Sequence, residues 1–273
     1  MKISIIVPVG NLEEWKICEA SLKASIAAAK DVAEAELLPC FDLEHKGAYV
    51  ARNEGLSRVT GEWIAWVDCD DVVETDWFGE IAAAIAAHDA EAVDVIQFDA
   101  TEVMGERTRP LPYGRTGLVS GEDFSRELLR NDGMPAWLWT RVFRREVMAG
   151  ACFAGRVKQD YQMFLQILPR IRGAWSIGKP LYRYIRHGHG LSNYTQAMDY
   201  LEAGRGFEAQ IENLPERWRH DAWIGLALTM ADVARHSKDG NGSRYWVRKY
   251  LMTVLFDGRV PLRIKVKTLL ASL

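Results

Sequence analysis

In the first hundred or so residues, short apolar runs alternate with helical segments, and that alternation constrains the fold more than any other feature. Residues 3–9, ISIIVPV, are continuous and β-branched, as a strand buried on both faces must be. Residues 12–34 are Ala-rich with apolar residues at helical spacing. AELLPCF reads as a second strand, and Pro39 inside it points to a sheet edge. AYVARNEGLSRVT is a helix ending at Gly61. EWIAWVDC is a strand, TDWFGEIAAAIAAHDA a helix opened by Thr75 or Asp76, and AVDVIQFDATEV another strand. This order predicts an α/β fold: a Rossmann-like, mostly parallel central sheet flanked by helices.

The pattern changes near residue 105. GERTRPLPYGRTG is rich in Gly, Pro and Arg and reads as a loop, while SGEDFSRELLR starts a helix at a Ser cap. From residue 196 the periodicity is helical only, in segments 196–213, 215–237, 243–255 and 261–272. Three regions are therefore expected: 1–105, 106–195 and a helical extension over 196–273.

The formal net charge of -3 gives no global case for nucleic-acid binding. Cys18, Cys40, Cys69 and Cys152 form no C-x-x-C pair, which argues against a zinc site or a disulfide framework and fits a reducing cytoplasm. No window reaches the roughly 18 apolar residues of a membrane span. MKISIIVPVG is too short for a signal segment and reads as a first strand. The segment 243–273 is basic and amphipathic, so peripheral contact with an anionic membrane is weighed against packing on the protein or on a second subunit in a homo-oligomer.

The chemistry concentrates in WIAWVDCDDVV, where an apolar strand ends in Asp68, Asp70 and Asp71. In open α/β sheets, ligands bind outside the carboxyl ends of the strands. Hard oxygen donors suit Mg²⁺ or Mn²⁺, and such ions take one or two protein carboxylates, with substrate phosphates completing the shell. Asp68 as the nucleophile of a haloacid-dehalogenase-type phosphatase is the alternative for an Asp-x-Asp-x-Val run.

ISIIVPVGN and KGAYVARNEGLSRVTGEWIAWVDCDDVVETDWF, followed by WTRVFRREVM, QDYQMF and PLYRYIRHGHGLSN, together resemble the family 2 glycosyltransferases over residues 1–195. The resemblance implies a GT-A fold and a nucleotide-diphosphate sugar donor, most often a UDP-sugar. It implies Asp70 on Mn²⁺ or Mg²⁺, with Asp68, Asp71, Pro8, Val9, Glu13, Lys46 and Arg52 around the donor. Asp160, of the Gln159-Asp160 pair, would be the general base of an inverting transfer. Arg186, His187 and His189 would close over the diphosphate, and Trp137, Trp139 and Gln159 would meet the acceptor. That acceptor would be a glycan or lipid-linked hydroxyl in cell-surface polysaccharide synthesis, with the protein cytoplasmic or peripheral at the inner membrane face. Two departures stand out. Gly10 occupies the family's Tyr position, and CFDLEHKG stands where an acidic base-reading segment belongs, leaving Asp42, Glu44, His45 and Lys46 to substitute. A non-catalytic binding protein of the same fold is the second alternative.

Overall fold

The computed structural model describes residues 1–88, 92–130, 136–154, 158–186, 200–236 and 241–273. β1 (Lys2–Val9) is followed by α1 (Leu12–Ala28), β2 (Glu34–Phe41), α2 (Ala48–Arg58), β3 (Trp63–Trp66), β4 (Val72–Val73) and α3 (Trp77–His88). β5 (Val95–Met104), β6 (Arg107–Leu111), β7 (Gly117–Ser120), α4 (Gly121–Arg130), β8 (Arg141–Arg144), α5 (Gln159–Ile167) and β9 (Gly173–Ile185) complete the sheet region. α6 (Tyr200–Glu212), α7 (Glu216–His236), α8 (Asn241–Phe256) and α9 (Leu262–Ser272) follow. The helices anticipated beyond residue 196 are thus all present.

The strands form one mixed sheet in the order β2-β1-β3-β8-β5-β9-β4, with β6 on β5 and β7 on β9. β2, β1 and β3 are parallel, and so are β5 and β9. β8 enters between β3 and β5 and runs antiparallel to both. Pro39 does lie on an edge strand, where its missing N–H costs no ladder bond. The segment 105–117, read as a loop, instead carries β6 as the return arm of a hairpin turning at Gly105, whose φ is 61°. Its Pro110 and its exposed Arg residues fit an edge strand, and this is why composition alone gave a loop.

Alternation along β1 sorts the layers. Ile3, Ile5, Val7 and Val9 join a core with Trp15, Cys18 and Leu22 of α1 and with Trp77, Phe78 and Ile81 of α3. The intervening Ile6 faces α2, where Gly55 rests on it so closely that a Cβ would lie 2.3 Å from Ile6 Cγ2. Asn11 caps α1: its Oδ1 accepts the backbone N–H of Glu13 at 2.9 Å and of Glu14 at 3.4 Å.

Two compact units result. One holds residues 1–122, 137–163 and 170–188; the other holds 123–136, 164–169 and 189–273. The second has its own small core of Ile224, Ala227, Val254 and Val260. It also has a buried charge cluster, in which Asp221 meets Arg126 and Arg130 at 2.9 Å each and Arg259 at 2.8 Å. Burial works to raise the Asp221 pKa, but those guanidiniums outweigh it and hold the carboxyl below its ordinary range.

Gly55→Ala should overpack the α2–β1 contact and destabilise the protein by about 1–3 kcal/mol, read as a lower urea midpoint at unchanged slope.

Candidate active site

The acidic segment forms a turn at the end of β3, with the Asp71 N–H donating to the Asp68 carbonyl at 3.1 Å. β4 then pairs antiparallel with β9. Tyr182 of β9, fully buried, locks this turn from beneath. Its hydroxyl accepts the Asp68 N–H at 3.1 Å and donates to Asp71 Oδ2 at 2.8 Å. The Ile185 N–H occupies Asp71 Oδ1 at 2.7 Å. Both Asp71 oxygens are therefore engaged inside the protein, and the residue is only 1% exposed. Burial, reinforced by the charges of Asp68 and Asp70, raises its pKa well above the carboxylate range. This places Asp71 under the turn as a support, and not on its open side with the half-buried Asp68 and Asp70.

Arg52 joins the two halves of the site. It projects from α2, and its side chain is 12% exposed. One guanidinium nitrogen donates to Asp68 Oδ1 at 3.0 Å; the other donates to Gln159 Oε1 at 2.9 Å and Asp160 Oδ1 at 3.3 Å. Acids 92 positions apart in the chain thus share one cation. Next to Arg52, Asn53 binds the Phe153 backbone at both ends: its Nδ2 donates to the carbonyl at 2.9 Å, and its Oδ1 accepts the N–H at 2.8 Å. The Arg-Asn pair of the sequence motif therefore divides its work. Arg52 sets charge, and Asn53 fixes the segment that leads to Asp160.

Asp160 lies in the first turn of α5, and its Oδ2 accepts the Leu138 N–H at 3.1 Å. Burial raises its pKa; Arg52 opposes that, Asp68 adds to it, and the Leu138 N–H and Arg141 oppose it again, with a net rise. Each carboxylate oxygen has two lone pairs, so both can still accept a hydroxyl proton. A carboxylate poised above its ordinary range is a better base near neutral pH.

Aromatic rings floor the site. Trp139 stacks on Tyr182 at 4.7 Å, Tyr184 at 5.5 Å and Trp137 at 4.9 Å. Trp139 is 5% exposed and belongs to the core, whereas Trp137 is half-buried at the outer end of the stack. Pro8 and Val9 are buried at the end of β1, and Glu13 is exposed in the first turn of α1, paired with Lys16 at 2.7 Å. Lys46 is exposed and pairs with Glu44 at 2.7 Å. Asp42, a substitute base-reader by sequence, spends Oδ1 on the Lys46 N–H at 2.8 Å and Oδ2 on the Gly47 N–H at 2.6 Å. Arg186 is half-exposed and meets the buried Glu102 at 3.3 Å. His187 and His189 lie outside the described residues.

Tyr182, Arg141 and Tyr113 shape the site with no sequence motif to mark them. Tyr182 stood in the quoted PLYRYI run without a role. Arg141 is fully buried, donates to the Trp137 carbonyl at 2.5 Å and lies 4.8 Å over the Tyr113 ring. Tyr113 sits in the stretch taken for a loop. An Arg beside two Trp residues in WLWTR was the one available signal.

Among the described residues, no three His, Cys, Asp or Glu side chains are arranged to hold a metal ion. The open side of the turn offers the carboxylates of Asp68 and Asp70, hard oxygen donors short of a full shell. That set fits a divalent cation whose other ligands come from a diphosphate.

This is a GT-A fold: a mixed sheet, an Asp-x-Asp turn at a strand end, and a second acid set across from it. Residues 22–149 match the model described as Glycosyl transferase family 2. Among curated relatives, "Uncharacterized glycosyltransferase YibD" of Escherichia coli K12 is 28% identical over 220 residues, covering 70% of this chain. The match spans 63% of that relative's length. Among solved structures, TarS 1-349 of S. aureus superposes with a TM-score of 0.68 at 17% identity, covering 98% of this chain and 83% of that one. Its complex with UDP-GlcNAc gives 0.66 at 18%, covering 98% and 84%. The mannosyltransferase PcManGT of Pyrobaculum calidifontis, in complex with GDP-Man and Mn²⁺, gives 0.52 at 15%, covering 99% and 85%. No helix among the described residues is long and apolar enough to cross a membrane.

Removing the Arg52 charge takes away the main opposition to the raised Asp160 pKa, whereas removing the Asp68 charge takes away a cause of it. In metal-free protein, followed by ¹³C NMR of the aspartate carboxyls, Asp160 should therefore titrate at higher pH in Arg52→Met and at lower pH in Asp68→Asn.

Proposed function

We propose that this protein is a metal-dependent, inverting glycosyltransferase. It moves a sugar from a nucleotide-diphosphate donor, a UDP-sugar by preference, to a hydroxyl of a glycan or lipid-linked acceptor. The observation that carries the reading is the bridge made by Arg52. It brings a half-buried acid of the Asp-x-Asp turn and a second acid, on a helix start, within 3.3 Å of one guanidinium. Such a pair can address the two ends of one transfer.

In this reading Asp70 would hold Mn²⁺ or Mg²⁺ together with the donor diphosphate, and Asp68 would orient the ribose or the sugar. Held there, the cation would supply Lewis-acid stabilisation of charge on the diphosphate. Asp160 takes the proton of the acceptor hydroxyl, whose oxygen bonds to the anomeric carbon from the face opposite the leaving group. The bond to the diphosphate breaks, and the configuration inverts. Gln159 and Asp160 are held by the same Arg52, so acceptor contact and base position are coupled. Trp137, at the outer end of the aromatic stack, offers a face to a sugar ring. UDP-GlcNAc in TarS and GDP-Man with Mn²⁺ in PcManGT support a nucleotide-sugar donor. They do not choose the base. With Asp42 committed to backbone N–H groups, a uracil or another base would be read by other groups of that segment. An acceptor in cell-surface polysaccharide synthesis, reached at the inner face of a membrane, suits the basic C-terminal helices.

Calorimetric titration of UDP, GDP and CDP, with and without Mn²⁺, tests this. UDP should bind only with metal, Asp70→Ala should weaken it at least about tenfold, the loss of about 1.4 kcal/mol, and Asp160→Asn should leave it intact. A preference for GDP or CDP would keep the reaction class and change the donor. If no nucleotide binds to wild type, the non-catalytic binding protein becomes the better reading.

A further inference from the structure

The last helix is built inside out. On α9, Thr268, Ala271 and Ser272 are buried, and Ile264 packs against the small core of Ile224, Ala227, Val254 and Val260. The large apolar residues point the other way: Leu262 is 76% exposed, Val266 48%, Leu269 44% and Leu270 62%, and Leu273 at the C-cap 79%. At 3.6 residues per turn these five fall within a stripe about 100° wide. Arg263 and Lys267 border one side of it and Lys265 the other, and none of the three pairs with an acid among the described residues. α8 adds exposed apolar residues: Tyr245, Met252 and Phe256 lie at helical spacing, while Arg248 beside them donates to the Ser272 carbonyl at 2.6 Å and Lys249 pairs with Glu208. From residue 241 to 273 the sole acid is Asp257, and it is buried against Arg259 at 2.7 Å.

Burying small polar side chains and exposing leucines is a loss in water unless something covers the leucines. The charge pattern selects the cover. A second copy meeting this stripe about a twofold axis would set the flanking cations Arg263, Lys265 and Lys267 of one copy against the same set of cations on the other. An anionic lipid surface accepts both features: leucines enter the acyl boundary while the flanking cations stay among phosphate headgroups.

We propose that α9, with the exposed stripe of α8, is a docking surface for an anionic phospholipid membrane. The proposal deepens the membrane-face part of the proposed function by naming the docking residues and the lipid class, and it does not rest on the nucleotide-sugar donor.

The test is co-sedimentation of the full chain with vesicles of phosphatidylcholine alone and of phosphatidylcholine with phosphatidylglycerol. Wild type should pellet with the anionic vesicles and stay in solution with the neutral ones. Leu262→Glu/Leu270→Glu and Arg263→Glu/Lys267→Glu should each lower binding about tenfold or more. All four side chains are solvent-exposed, so circular dichroism and thermal melts should match wild type. Wild type left in the supernatant with both vesicle types overturns the proposal. Equal binding to both vesicle types overturns its electrostatic half. If light scattering shows a wild-type dimer that Leu262→Glu/Leu270→Glu makes monomeric, and no vesicle binds, the surface belongs to a second copy instead.

Discussion

One guanidinium governs this site. Without Arg52, the carboxylates of Asp68 and Asp160 would face each other across a partly desolvated space with nothing between them but repulsion. With it, the cost of burying either acid falls, and their separation is fixed by the fork of a single planar group. Arg52 can do this because α2 lies flat against β1, and α2 lies flat because Gly55 carries no side chain where Ile6 approaches. A backbone contact between helix and strand thereby sets the charge balance of the candidate active site.

The acids divide according to what surrounds them. Asp71 is enclosed, doubly hydrogen-bonded and driven toward its neutral form, so it serves as a strut between the turn and β9. Asp68 and Asp70 remain on the open side, where negative charge is useful. Asp160 lies between these extremes: it is buried enough to be raised and close enough to Arg52 to be kept from rising freely. Asp71 and Asp160 thus acquire different chemistry from burial and partners alone.

The α/β alternation, the acidic strand end and the helical extension were legible in the sequence because each is a local pattern. That Asp160 lies beside Arg52 was not legible, since nothing about QDYQMF by itself says that α2 will reach it. The strut role of Asp71 could not be read at all. It depends on Tyr182 and Ile185, more than a hundred residues downstream and brought under the turn by β9. β6 was hidden by Pro and Arg residues that an edge strand tolerates and a central strand does not. The insertion of β8 was hidden because strand order is a property of topology, and a run of four residues gives no sign of whom it will pair with.

That insertion also governs how the sheet can be made. β8 is the middle strand of the seven in the main order, yet it is contributed by residues 141–144, after β1, β3 and β5. Until it arrives, β3 and β5 each present an open edge of unpaired backbone groups. A chain emerging from the ribosome therefore holds two unfinished halves of one sheet, which a late segment must join. Such long-range closure is slow relative to local structure and sensitive to interruption. A fragment stopping near residue 105 would lack the strand that joins its own halves.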